Sequence, residues 1–137
     1  MGTRSLIGKV NPDNTYTYIY CHWDGKPYYV GAKLVENYFT NDKINQLLEL
    51  GDLSALGEKI GEKQDFNKFE THVREWCLAY GRDRGEDGRE AKTIPLDELV
   101  NIDHWQEYIY IWTDNVWKCY TPSMDEIMIP ANQIEQQ

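Results

Sequence analysis

Thr15-Tyr16-Thr17-Tyr18-Ile19-Tyr20-Cys21-His22 is the stretch whose pattern decides the fold. Nearly every position is β-branched or aromatic, the residue kinds that fit a pleated, half-buried surface. Strand side chains alternate between faces, so Tyr16, Tyr18, Tyr20 and His22 share one face and Thr17, Ile19, Cys21 and Trp23 the other. Asn11-Pro12-Asp13-Asn14 is a dense turn signal just before it, and Thr3 to Val10 alternates weakly before that turn. Together these segments predict a β-hairpin, ended by Asp24-Gly25-Lys26-Pro27.

Beyond the hairpin, Val30, Leu34 and Tyr38 stand at i, i+4, i+8, which gives a helix over Tyr28 to Tyr38 one apolar stripe. Thr40 or Asn41 caps a second helix with Ile44, Leu47 and Leu48 facing the core, and Gly51 stops it. Asp52 to Gly57 reads as a compact turn that tucks Leu53 and Leu56 inward, followed by a polar, exposed connection over Glu58 to Lys68. Val73 to Tyr80 reads as a third strand, running into a charged, Gly-rich loop from Gly81 to Glu90. Leu96 to Val100 predicts a short helix after Pro95, and Glu107 to Trp112 and Val116 to Tyr120 a second hairpin turning at Asp114-Asn115. Residues 123–137 lack a clear period and read as a partly ordered tail. The sum is a single α+β domain over 1–137, an antiparallel sheet of about five strands with two or three helices packed on one face.

Composition narrows the function classes. A chain of 137 residues with 41% hydrophobic and 13% aromatic residues can bury a core and is not a disordered segment. Tyr and Trp, ten and five of them against three Phe, pair an apolar face with a polar handle, which suits core edges and binding surfaces. A net charge of −9 argues against a reader of duplex nucleic acid, whose affinity comes from phosphate contacts. No polybasic stretch or long apolar run points to a membrane. Acidity leaves open a basic protein partner. The odd, scattered cysteines Cys21, Cys77 and Cys119 and the polar start of the chain predict free thiols and a cytoplasmic location.

The densest polar–aromatic cluster is Tyr20-Cys21-His22-Trp23-Asp24-Gly25. With Arg4 and Ser5 on the neighbouring strand, an arginine fork, a hydroxyl, an imidazole and aromatic faces suit a phosphate-bearing, nucleotide-like ligand. The competing reading is a folded corner in which Asp24 caps the turn, Trp23 packs in the core and Arg4 pairs with Asp24. Arg82 and Arg84 in the charged loop join the candidates if that loop folds over the first hairpin. No metal or other cofactor is expected. Cys21 and His22 are adjacent and point to opposite sides of a strand, and His72 and His104 stand near no Cys or His at ligand spacing. No catalytic set is expected either, because nothing near the cysteines marks an elbow, an oxyanion donor pair or an orienting acid.

Gly2-Thr3-Arg4-Ser5-x-Ile7, Ile19-Tyr20-Cys21-His22-Trp23-Asp24-Gly25-x-Pro27 and Val30-Gly31 resemble a family of small, largely uncharacterised phage and prophage proteins. The resemblance continues through Leu34, Tyr38 and Leu50-Gly51-Asp52-Leu53-Ser54-x-Leu56-Gly57, and returns at Ala79-Tyr80-Gly81-Arg82-Asp83-Arg84-Gly85-Glu86 and in the closing aromatic hairpin. Residues 58–72 and the tail stand outside it. It implies provenance: a phage accessory product in an infected bacterial host, of a kind many of which counter host defence. Its motifs fall on Arg4, Ser5, His22, Asp24 and the Arg82–Glu86 loop, which favours a site at the hairpin corner.

Two functions follow as expectations. In the first, a binding protein acts as a sponge for a nucleotide-type immune signal. Arg4 with Arg82 or Arg84 neutralises phosphate, Tyr20 and Trp23 stack on a base, and Ser5, His22 and Asp24 bond ribose or base edges. In the second, an acidic, Tyr/Trp-rich surface occupies the basic groove of a host nucleic-acid-binding defence complex, as an anti-CRISPR or DNA mimic would. Enzymatic turnover of the signal and assembly into a homo-oligomer are left open.

Overall fold

The hairpin forms as the alternation requires in the computed structural model, which describes residues 2–102 and 106–131. Strands β1 (Ser5–Val10) and β2 (Thr15–Cys21) pair antiparallel, with Ile7 opposite Ile19 and Ser5 opposite Cys21. Pro27–Gly31 makes a π-helical turn that runs into α1 (Ala32–Asn37). Thr40 caps α2 (Asn41–Glu49), its side chain accepting the Lys43 N–H at 3.2 Å. Val30, Leu34 and Tyr38 are buried, as are Ile44, Leu47 and Leu48, so both apolar stripes face the core.

The chain then adds β3 (Leu53–Ala55), β4 (Leu78–Ala79), α3 (Tyr80–Arg84), β5 (Lys92–Pro95), a 3₁₀ turn over Leu96–Asn101, β6 (Tyr108–Thr113), β7 (Val116–Tyr120) and β8 (Glu126–Ile127). The sheet runs β4-β3-β2-β1-β6-β7-β8, with β5 also paired to β2. The described residues thus form eight strands where about five were expected. The pairing is mostly antiparallel, but β1 with β6 and β2 with β3 run parallel. The outer edge of β2 is shared, by β5 along Thr15–Tyr18 and by β3 at Cys21.

Several segments differ from expectation, and Asp52 to Gly57, read as a compact turn, carries β3. The strand expected over Val73 to Tyr80 shrinks to β4, because Val73 to Trp76 makes a turn, the Trp76 N–H donating to the Val73 carbonyl at 3.1 Å, and Tyr80 already opens α3, so the expected loop begins as that helix. The expected tail is packed for its first part, with Ile129 and Ala131 buried, while residues 132–137 lie outside the described residues.

Each sheet face has its own core. Ile7, Ile19, Cys21, Tyr110, Trp117 and Cys119 pack with the buried residues of α1 and α2. Leu6, Tyr16, Ile109 and Ile111 pack on the opposite face, covered by Leu99 of the 3₁₀ turn. Part of the tyrosine excess serves this core. The Tyr16, Tyr38 and Tyr110 hydroxyls donate to the carbonyls of Tyr110, Gly57 and Gly25 at 2.7, 2.6 and 2.6 Å, so each buried phenol is satisfied. Among the described residues no helix is long and apolar enough to cross a membrane.

Candidate functional site

Strand parity builds the first wall of a recess. Ser5 pairs with Cys21, so one step further along each strand Arg4 comes opposite His22, on the face that carries Leu6 and Tyr20. The Tyr20 hydroxyl lies 2.7 Å from His22 Nδ1. When it donates there, the neutral ring carries its proton on Nε2 and offers that nitrogen as a donor.

The second wall comes from distant segments tied to one another by backbone. Gly51 sits at φ +76°, and a Cβ there would lie 2.2 Å from the Arg89 carbonyl oxygen, so only glycine fits. This close approach lets the Asp52 N–H donate to that carbonyl at 2.7 Å, while the Tyr80 N–H donates to the Asp52 carbonyl at 3.2 Å. The Asp52 carboxylate accepts the Tyr20 N–H at 2.9 Å and Arg89 Nη1 at 3.2 Å. The guanidinium carbons of Arg84 and Arg89 lie 4.6 and 4.2 Å from the centre of the Tyr80 ring, and Arg84 is also 4.7 Å from the Phe66 ring. Glu86 pairs with Arg84.

Between these walls lies an open recess of about 590 Å³, lined by Arg4, Tyr20, His22, Asp52, Tyr80, Arg84, Arg89 and Gln106. That volume is in the range of small-ligand sites. Two buried donors at its lining have no hydrogen-bond partner among the described residues, the Gln106 amide nitrogen and Arg89 Nε. Arg89 Nε does lie 3.4 Å from Glu86 Oε1, an ion-pair distance without hydrogen-bond geometry. Gln106 is only 4% exposed, so its amide is a donor left over in a dry place.

Beside its arginines the recess presents neutral donors. Burial first, then the charges of Arg4 and Arg89, hold His22 below its ordinary value of 6.5, so the ring is neutral at pH 7. Burial raises the Tyr20 phenol although Arg4 pulls it the other way, so Tyr20 remains a neutral donor. A second recess of about 590 Å³ shares Arg89 but is flanked by Glu49, Glu86 and Glu90. It suits an anion less well.

Of the residues expected at the site, the structure gathers Arg4, Tyr20, His22 and Arg84 in the recess and places Ser5, Trp23, Asp24 and Arg82 outside its lining. Ser5 is fully buried on the opposite face, one residue out of phase with Arg4. Trp23 stacks edge-on against His22, ring centres 4.6 Å apart, and stands 44% exposed outside the recess. Asp24 is a turn residue at φ +58°, its carbonyl accepting the Val30 N–H. Arg82 is spent on structure: Nη1 and Nη2 donate to the Ile60 and Cys77 carbonyls at 2.8 and 2.7 Å, and Nε pairs with Asp83 at 3.0 Å. Residues two apart on a helix do not share a face, so α3 turns Arg82 and Arg84 different ways.

Asp52, Tyr80, Arg89 and Gln106 were missed. Tyr80 and Arg84 do stand at i, i+4, a signal hidden when the segment is read as a loop. Among the described residues no group of three His, Cys, Asp or Glu could hold a metal ion. His72 bonds the Asp65 carbonyl through Nε2, and His104 lies outside the described residues. All three cysteines are buried, and burial pushes the Cys21 and Cys119 thiols up to about 12, so neither is a thiolate near neutral pH. Comparison with known families, curated proteins and solved structures gives no match to this chain.

Proposed function

We propose that this protein captures a phosphate-bearing, nucleotide-type ligand in the arginine–tyrosine recess, as a phage-encoded counter-defence factor that sequesters a nucleotide immune signal. One observation carries the proposal: an acidic chain of net charge −9 has only five arginines, and three of them line one recess. Guanidinium forks match phosphate oxygens, and a site built this way attracts anions locally against the repulsion of the whole molecule. Tyr20 and Tyr80 supply faces for a base, and His22 and Gln106 supply neutral donors for base or ribose edges. A ligand that satisfied the Gln106 amide and Arg89 Nε would gain more than the same contacts give at a wet surface.

Sequestration is favoured over turnover because the thiols are buried and protonated. The test is a panel of cyclic and ADP-ribose-type nucleotides followed by melting temperature, with recovery of the ligand after heating. Intact ligand supports a sponge; a converted ligand supports an enzyme. Capture left unchanged by Arg4→Ala and His22→Ala would remove the recess from the proposal.

One observation favours the acidic-inhibitor reading. Tyr28 and Tyr29 stand 56% and 49% exposed beside the hairpin corner, and exposed aromatics are enriched where proteins meet. In that case Tyr28→Ala with Tyr29→Ala abolishes capture of a basic host protein, in a salt-dependent assay, while Arg84→Ala does not.

A further inference from the structure

We infer that a groove at the other end of the first hairpin, between α2 and the turns of both hairpins, binds a neutral saccharide. This site is separate from the arginine recess and does not depend on capture there. Its floor follows from strand parity. Ile7 and Ile19 pack against α1 and α2, and two residues further along Lys9 comes opposite Thr17 on the same face, with Trp112 beside Lys9 on β6. Along this floor α2 lays Asn41, Asn45 and Glu49, one stripe at i, i+4, i+8. Asp114, in the turn between β6 and β7, closes one end. The space consists of two recesses of about 530 Å³ each that share Lys9, Asn11 and Asn45, each in the range of small-ligand sites.

The amides of this groove are held in one orientation. An indole N–H and an ammonium can only donate. Trp112 Nε1 donates to Asn41 Oδ1 at 3.1 Å and Lys9 Nζ to Asn45 Oδ1 at 2.5 Å, which fixes both oxygens and leaves both NH2 groups for the groove. Asn11 is fixed the other way. Its Nδ2 donates to the Thr15 and Thr17 hydroxyls at 2.9 and 2.8 Å, so its oxygen is the acceptor left over. Donors therefore stand on the helix wall, and an acceptor on the sheet side with the Asp114 carboxylate. A hydroxyl both donates and accepts, so neighbouring hydroxyls of one sugar ring answer both walls at once. Charge points the same way. Lys9, in both recesses, stands against a cation, while Asp114 in the first and Glu49 and Glu90 in the second stand against an anion. Val10, Pro12 and the edge of Trp112 supply apolar surface for the C–H groups of a ring.

The experiment follows the Trp112 indole N–H signal of the full chain by NMR during titration with maltose, cellobiose, lactose and chitobiose. The result expected is a saturable shift with at least one disaccharide. Asn41→Asp and Asn45→Asp each keep the oxygen that Trp112 or Lys9 binds and remove only the NH2 donors. Each should weaken that disaccharide about fivefold, with a melting temperature within about 3 °C of wild type because both positions are exposed. Arg84→Ala should bind the disaccharide as wild type does. No saturable shift with any of the four overturns the inference, and so does an affinity unmoved by both substitutions. Trilysine or ATP moving the Trp112 signal with higher affinity than every disaccharide overturns it as well. None of these outcomes touches capture in the arginine recess, which Arg84→Ala tests separately.

Discussion

Arg89→Ala removes the ion pair that braces the second wall of the recess behind its bond to Tyr20. In the native protein Arg89 Nη1 meets Asp52 Oδ2 at 3.2 Å, and the Asp52 carboxylate is 6% exposed. Without Arg89, the Tyr20 N–H at 2.9 Å is left to hold that carboxylate. A hydrogen bond to a charged group contributes about 1.5–3 kcal/mol net. The Arg89 side chain is 30% exposed, so solvent screening brings the figure to about 1–2 kcal/mol. The guanidinium lies 4.2 Å from the Tyr80 ring centre, which adds about 0.5–1 kcal/mol. The expected loss is about 2 kcal/mol, or about 6–8 °C in melting temperature for 137 residues. Thermal unfolding followed by circular dichroism measures it, within a cycle of Arg89→Ala, Asp52→Asn and the double variant. A coupling of about 1–2 kcal/mol is expected, because the second change removes what the first left unpaired. A melting temperature within about 1 °C of wild type, or strict additivity, would refute the pair's role.

His22 predicts a pH dependence with a definite sign. Its folded value lies below the ordinary 6.5, so between the two values the unfolded chain binds more protons, and its contribution is complete above 6.5 and lost as pH falls from there through the lower folded value. Wild type should therefore lose more melting temperature than His22→Asn between pH 7.5 and 5, and equal slopes would contradict the burial of His22 beside Arg4 and Arg89. The two arginines of α3 should behave oppositely. Arg82→Ala loses its bonds to two carbonyls and Asp83 and destabilises by about 2–3 kcal/mol. Arg84→Ala, 40% exposed, should leave melting within about 3 °C of wild type while abolishing any ligand-induced shift. Finally, the three buried cysteines should resist a thiol reagent at pH 8 in the native protein and all react after denaturation. Rapid labelling of one of them in the native state would show the packing to be wrong.

Much of the fold was legible because its main elements are long enough to show a period. The alternation of Thr15 to His22 placed each side chain on its face, and Asp114 and Asn115, both at positive φ, turn the closing hairpin as their sequence predicts. β3, β5 and β8 are three, four and two residues long, too short for any period, and their pairing is set by distant segments. The parallel pairing of β1 with β6 is likewise beyond local signals. At the site, local signals found Arg4, Tyr20 and His22, since one turn and one register bring them together. The exclusion of Ser5 was readable from the same parity. Gly81, Gly85 and Gly88 made 81–90 look like a loop, which concealed α3 and the divergence of Arg82 from Arg84. Asp52 and Arg89 meet through a backbone bond across 37 positions, and Gln106 arrives because the Glu107 N–H bonds the Arg4 carbonyl at 2.9 Å. No local pattern encodes either meeting.

Capture is tested most directly by the melting temperature of wild type and Arg84→Ala with each nucleotide of the panel at saturation. A ligand at a hundredfold its Kd stabilises the folded chain by about 2.7 kcal/mol, or about 8–10 °C here. A shift of that size in wild type, absent in Arg84→Ala, is the predicted result. No shift with any nucleotide, or the same shift in both proteins, would contradict capture by this recess.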